Sequence, residues 1–93
     1  MNNKNTKYFC PCCGYNTLTQ KPPLSYEICP ICYWEIDPVQ VRFPDNEQGA
    51  NRVSLIQARK NFEEIGAYFE DYIEVVRKPN SNDQRKPGWK ISE

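Results

Sequence analysis

The chain has 93 residues, twelve Lys and Arg against twelve Asp and Glu, 39 % hydrophobic and 13 % aromatic content, and no histidine. A domain this short buries a thin core and is marginal without a further source of stability. Without histidine the commonest general acid-base and the usual activator of a serine or cysteine nucleophile are both missing, so ordinary hydrolytic triads are excluded and an enzyme is not expected.

Met1 to Lys7 is polar and lacks the apolar core of a secretory signal, and no segment approaches the roughly 18 consecutive apolar residues of a membrane span. The expectation is a cytoplasmic protein without membrane attachment. In that reducing compartment five cysteines read as metal ligands plus a spare rather than as disulfides.

Tyr8-Phe9 lead into Cys10-Pro11-Cys12-Cys13-Gly14, and Tyr15 to Leu18 leave it with β-favouring residues. Pro22-Pro23 break the chain, and Ser25 to Ile28 read as a return strand into Cys29-Pro30-Ile31-Cys32. Each cysteine pair encloses two residues, and fifteen residues separate the pairs. This spacing points to one tetrahedral zinc ion on Cys10, Cys13, Cys29 and Cys32, with each proline setting φ where the chain reverses. A bound structural Zn2+ contributes its binding free energy to folding, on the order of 10 kcal/mol. The outline is that of a zinc ribbon with two hairpins. Gly14 suits the positive φ that follows such a turn. Tyr33 stands in the equivalent place of the second, so the halves are not expected to be interchangeable. Cys12 falls inside the first turn, as an inert packed thiol or as a redox handle beside the cluster.

Tyr33 and Trp34 are expected to pack beside the metal and seal it. Asp37 to Asn51 is rich in turn formers, with one helical turn near Pro38 to Val41. Ser54 and Gln57 form a capping-box pattern, Leu55, Ala58, Phe62 and Ile65 lie on one helical stripe, and Gly66 suits the stop. A second helix is expected from the spacing of Phe69, Tyr72, Ile73 and Val76, ending before Pro79. The fold class is thus small α+β, zinc-ribbon-like β-hairpins on a four-cysteine site packed against two short α-helices. Residues 1–79 form one domain, and 80–93 are expected to be a polar, flexible tail whose Trp89 either docks back or waits for a partner.

Charge is unevenly placed. Residues 34–76 hold nine acids against four bases, whereas 77–93 hold five bases against Asp83 and Glu93. An acidic body argues against general affinity for nucleic acid. Glu70 and Glu74, four apart, would share a helical face.

Cys10-Pro11-Cys12-Cys13-Gly14-Tyr15, the run Tyr26 to Cys32, and Asn51 to Ala67 with Ser54-Leu55, Ala58-Arg59 and Asn61-Phe62 together resemble the bacterial cysteine-rich CPCC domain family over about residues 8–79. The resemblance implies a zinc-ribbon-like knuckle pair. In size and acidic body the chain also resembles stand-alone immunity proteins encoded beside bacterial toxins. The expected function is therefore a non-enzymatic protein-interaction module of immunity or antitoxin type, meeting a basic toxin domain through Glu63, Glu64, Glu70, Asp71 and Glu74. Two alternatives compete with it. One is a nucleic-acid-binding ribbon using Lys4, Lys7, Lys21, Lys78, Arg85, Lys86 and Lys90 with Tyr15 or Trp89 for stacking. The other is a rubredoxin-like electron carrier with iron on the same four thiolates.

Overall fold

Two cysteine turns face one another at the centre of the molecule, and the other described residues are wrapped around them. The structure, a computed structural model, describes residues 7–22 and 26–90. Positions such as Lys4, Pro23, Ser25 and Glu93, on which part of the sequence reading rests, lie outside the described residues.

The turns share one backbone geometry. Gly14 N–H donates to the Cys10 carbonyl at 2.8 Å and Tyr33 N–H donates to the Cys29 carbonyl at 2.7 Å. The next residue then closes each turn, Tyr15 C=O accepting from Cys10 N–H at 2.9 Å and Trp34 C=O from Cys29 N–H at 3.0 Å. The geometry requires a left-handed residue after the second cysteine. Gly14 supplies it at φ 83° and Tyr33 at φ 72°. The expectation of unlike halves is thus corrected for the backbone: Tyr33 adopts the glycine conformation, at a cost of about 1 kcal/mol or more for a side-chain residue. Its ring is held in return by stacking on Tyr72, centroids 4.8 Å apart.

The hairpins that lead into the turns are minimal. Among the described residues each consists of an isolated antiparallel pair, Tyr8 with Leu18 and Ile28 with Glu35, and no longer strand forms. Side chains take the backbone groups that would extend the ladders. The Glu27 carboxylate accepts from Thr19 N–H at 2.9 Å and Gln20 N–H at 3.1 Å. On the second turn Asn51 takes both groups of Glu35, accepting from its N–H at 2.9 Å and donating to its C=O at 2.7 Å.

The described residues contain two α-helices. The first, α1 (Pro38–Arg42), begins where Asp37 Oδ1 accepts from the amides of Val39 and Gln40, with Pro38 at its first position. Burial pushes the Asp37 carboxyl up, but the amides of Ala50, Gln40 and Val39 outweigh it and hold the group below its ordinary range. Its other oxygen accepts from Ala50 N–H at 2.9 Å and so ties down the following loop. Gln40, fully buried, completes the tie by donating to the carbonyls of Asn46 and Val53 and accepting from Asn51.

The second helix, α2 (Leu55–Ile65), starts at Ser54, whose Oγ accepts from Gln57 N–H at 3.1 Å, and stops at Gly66 with φ 82°. Only half of the capping box forms, because the Gln57 side chain donates to Asn61 Oδ1 instead. Leu55, Ala58 and Phe62 carry the buried stripe, while Ile65 remains exposed.

The helix expected from Phe69 to Val76 is corrected to a single 3-10 turn at Glu70–Tyr72. Its aromatic and β-branched residues are weak helix formers, and the backbone on either side is recruited by the second cysteine turn. Tyr68 N–H donates to the Cys32 carbonyl at 2.8 Å and Arg77 N–H to the Pro30 carbonyl at 3.1 Å. Tyr68, Tyr72 and Tyr33 then stack in sequence, and Trp34 meets Tyr68 edge-on at 5.5 Å. Trp34 is wholly buried, with its indole N–H left without an acceptor.

The segment after Pro79, expected from composition as a flexible tail, is laid against the first cysteine turn. Asp83 takes both terminal nitrogens of Arg77, at 2.8 and 3.0 Å, and accepts from Asn80 N–H at 2.8 Å. The chain then runs antiparallel to residues 14–16. Asn16 N–H donates to the Gln84 carbonyl at 2.9 Å, Lys86 N–H to the Gly14 carbonyl at 2.8 Å, and Tyr15 pairs with Arg85. No helix of the described residues is long and apolar enough to cross a membrane.

Candidate metal centre

Cys10, Cys13, Cys29 and Cys32 are each fully buried, and their sulfurs all lie within 4.8 Å of one another. The closest pairs cross from one turn to the other, Cys10 to Cys32 at 3.6 Å and Cys13 to Cys29 at 3.7 Å. That is near the sulfur separation of a tetrahedron with metal-sulfur bonds of about 2.3 Å.

Three polar groups of the turns lie against the ligand sulfurs. Cys12 N–H points at Cys10 Sγ at 3.4 Å, Trp34 N–H at Cys32 Sγ at 3.5 Å, and Thr17 Oγ1 lies 3.0 Å from Cys29 Sγ. Burial pushes the Cys10 and Cys32 thiols up. Cys29 is pulled down by hydrogen bonds from Cys10, Cys13 and Cys32, with Thr17 adding to them. Four sulfurs this close and this dry cannot all be anions unless a cation joins them. The residues therefore fit a metal ion bound by thiolate, and a set of four leaves no open coordination position for a substrate.

Cys12 is outside this cluster and 1 % exposed, packed into the core beside it. Three residues that sequence reasoning missed complete the site. Thr17 shows no pattern that would single it out. Arg59 donates from Nε to the Pro11 carbonyl and Arg85 from Nε to the Cys13 carbonyl, both at 2.8 Å. In the sequence Arg59 stands out only within the Ala58-Arg59 pair of the family resemblance, and Arg85 only as a candidate nucleic-acid contact in the basic tail.

The five acids singled out as a partner surface are all exposed. They do not form one strip. Glu63 is ion-paired with Arg85 and Asp71 with Arg52. Glu70 and Glu74 do not share a helical face, because the segment is not an α-helix. Glu64 and Glu70 both line one cleft of about 400 Å3, together with Ile65 and Phe69.

A small domain of paired knuckles around four enclosed thiols is thus the class of protein that fold and site define. The family model of the cysteine-rich CPCC proteins matches residues 8–83, and the chain belongs to that family. No curated protein matches it.

Proposed function

We propose that this is a non-enzymatic protein-interaction module whose fold is held by a structural Zn2+ on Cys10, Cys13, Cys29 and Cys32. The observation that carries the reading is the complete enclosure of four converging sulfurs. Zinc is favoured over iron because a closed tetrahedral site with no redox demand suits its filled shell. When bound it supplies charge neutralisation and four bonds between the turns. Elemental analysis and colour of the native protein test the choice, since an iron tetrathiolate is red and a zinc one colourless.

The partner inferred is a basic protein, of the kind a nucleic-acid-cleaving toxin domain presents, which makes the chain an immunity-type protein acting in a bacterial cytoplasm. The cleft between Glu64 and Glu70 supports this, with Ile65 and Phe69 available to the apolar stem of a lysine or arginine. Nucleic acid is the weaker candidate, because Arg77 and Arg85 are held by Asp83 and Glu63. Titration against the basic product of the neighbouring gene, with and without Glu64→Lys and Glu70→Lys, tests the surface. Association slowed about tenfold by the two reversals is expected, and unchanged binding would remove the cleft from consideration.

A further inference from the structure

The two cysteine turns are fastened differently. Carbonyls of the second accept main-chain amides from Tyr68 and Arg77. In the first, Pro11 and Cys13 accept from the side chains of Arg59 and Arg85, and Gly14 accepts from Lys86 N–H. One short strap, residues 84–89, supplies two of these three bonds. Its Trp89 ring lies so close to Gly14 that a Cβ there would stand 2.5 Å from a ring carbon. Arg85 lies 4.8 Å from the Tyr15 ring centroid and 5.8 Å from those of Phe62 and Trp89, and Arg59 lies 5.6 Å from that of Trp89. The strap continues beyond residue 83, where the family match ends.

We infer that the strap gates metal exchange at the four-cysteine centre, holding the first cysteine turn closed so that Cys10 and Cys13 cannot swing away from the ion. This rests on the metal reading above. A thiolate-bound ion leaves by losing its ligands one at a time, and at a wholly buried centre a sulfur withdraws more readily when the turn that carries it can move aside. Arg85 fixes the carbonyl of the ligand Cys13 itself, and Trp89 covers the residue after it. With the strap lifted, the first turn retains its own internal bonds, its core packing and, of the three carbonyl anchors named above, the one from Arg59. The second turn stays fastened at Cys32 and Pro30 by Tyr68 and Arg77. Release therefore proceeds through Cys10 and Cys13, at a rate set by strap opening. Arg59 and Arg85 also place two positive charges beside a centre that, with a divalent ion, carries a net charge of about minus two.

The test uses the full chain loaded with Zn2+ and the rate at which the ion passes to excess chromogenic chelator. Trp89→Ala and Arg85→Gln should each accelerate transfer about tenfold, the effect expected when a hydrogen bond to a charged group or an equivalent packing contact is lost. Tyr72→Leu removes the ring on which Tyr33 of the second turn stacks without touching the strap, and should change the rate less than about threefold. Gly14→Ala, which displaces the ring and leaves the strap's own sequence intact, should reproduce the acceleration. Equal rates in wild type and the strap variants, or equal acceleration by Tyr72→Leu, would overturn the gate. Failure of the unmodified chain to give sulfur-to-cobalt charge-transfer absorption with Co2+ would defeat the metal reading itself, a result separate from an unchanged rate.

Discussion

A methyl group at Gly14 meets the Trp89 ring at 2.5 to 2.9 Å, well inside van der Waals contact, so either the ring or the turn must move. Two costs can be separated. The backbone at φ 83° charges a side-chain residue about 1 kcal/mol, and Tyr33 at φ 72° shows that the same turn accepts one. Lifting a partly buried Trp89 forfeits its apolar burial and its contacts with Arg59 and Arg85, together about 2 kcal/mol. Gly14→Ala should therefore cost about 3 kcal/mol in the wild-type background and only about 1 kcal/mol in Trp89→Ala, a coupling of about 2 kcal/mol. The assay is thermal unfolding of the four proteins of this cycle at fixed free Zn2+. An additive double mutant would refute the reasoning, because it would mean that the ring does not rest on Gly14 in solution.

Serine substitution at any of Cys10, Cys13, Cys29 or Cys32 should lower zinc affinity at least about 100-fold in competition titrations, whereas Cys12→Ser should retain the metal. Loss of metal from Cys12→Ser would place that thiol among the ligands. Asn51→Ala strands the N–H and C=O of Glu35 and removes one of the two donors to Gln40 Oε1, and should cost about 2 to 3 kcal/mol by denaturant unfolding; a cost below about 1 kcal/mol would show that water replaces the side chain. The Asp83 carboxyl, beside the Arg77 guanidinium and the Asn80 amide, is depressed to about 2. A depressed carboxyl contributes stability that is present above its unfolded pKa, near 4, and lost as pH falls through about 2. Asp83→Asn should therefore destabilise by a constant amount between pH 8 and 5.5, about 1 kcal/mol for a pair whose Arg77 side is open to solvent. Metal retention should meanwhile decline on the acid side as protons compete for the thiolates. An NMR titration of the Asp83 carboxyl with a midpoint at about 4 would place it in its ordinary range.

Local chemistry made the cysteine turns, the Ser54 cap, the apolar stripe of α2 and its Gly66 stop legible from residues alone. Each depends on groups a few positions apart, and such groups meet in nearly any fold that contains them. The Phe69 to Val76 segment defeated the same logic. Its 3.6-residue spacing is real, but the amides of Tyr68 and Arg77 bond to the second cysteine turn, and an aromatic stack replaced the helix. The hairpins shrank to single pairs for a similar reason: Glu27 and Asn51, distant side chains, took the groups that a ladder would have used.

What the sequence determined by itself is that four cysteines at these spacings form two turns able to share one ion, for each pair is set two residues apart around a proline that fixes φ where the chain reverses. What only the tertiary structure decided is how those turns are fastened. Residues 84–89 read as a solvated tail because nothing in their composition buries itself. They dock because Gly14 offers a surface without a Cβ, Glu63 of α2 meets Arg85, and the carbonyls of Cys13 and Gly14 have no nearer partner for their hydrogen bonds. Those partners lie some twenty to seventy residues away in sequence, and only folding brings them together.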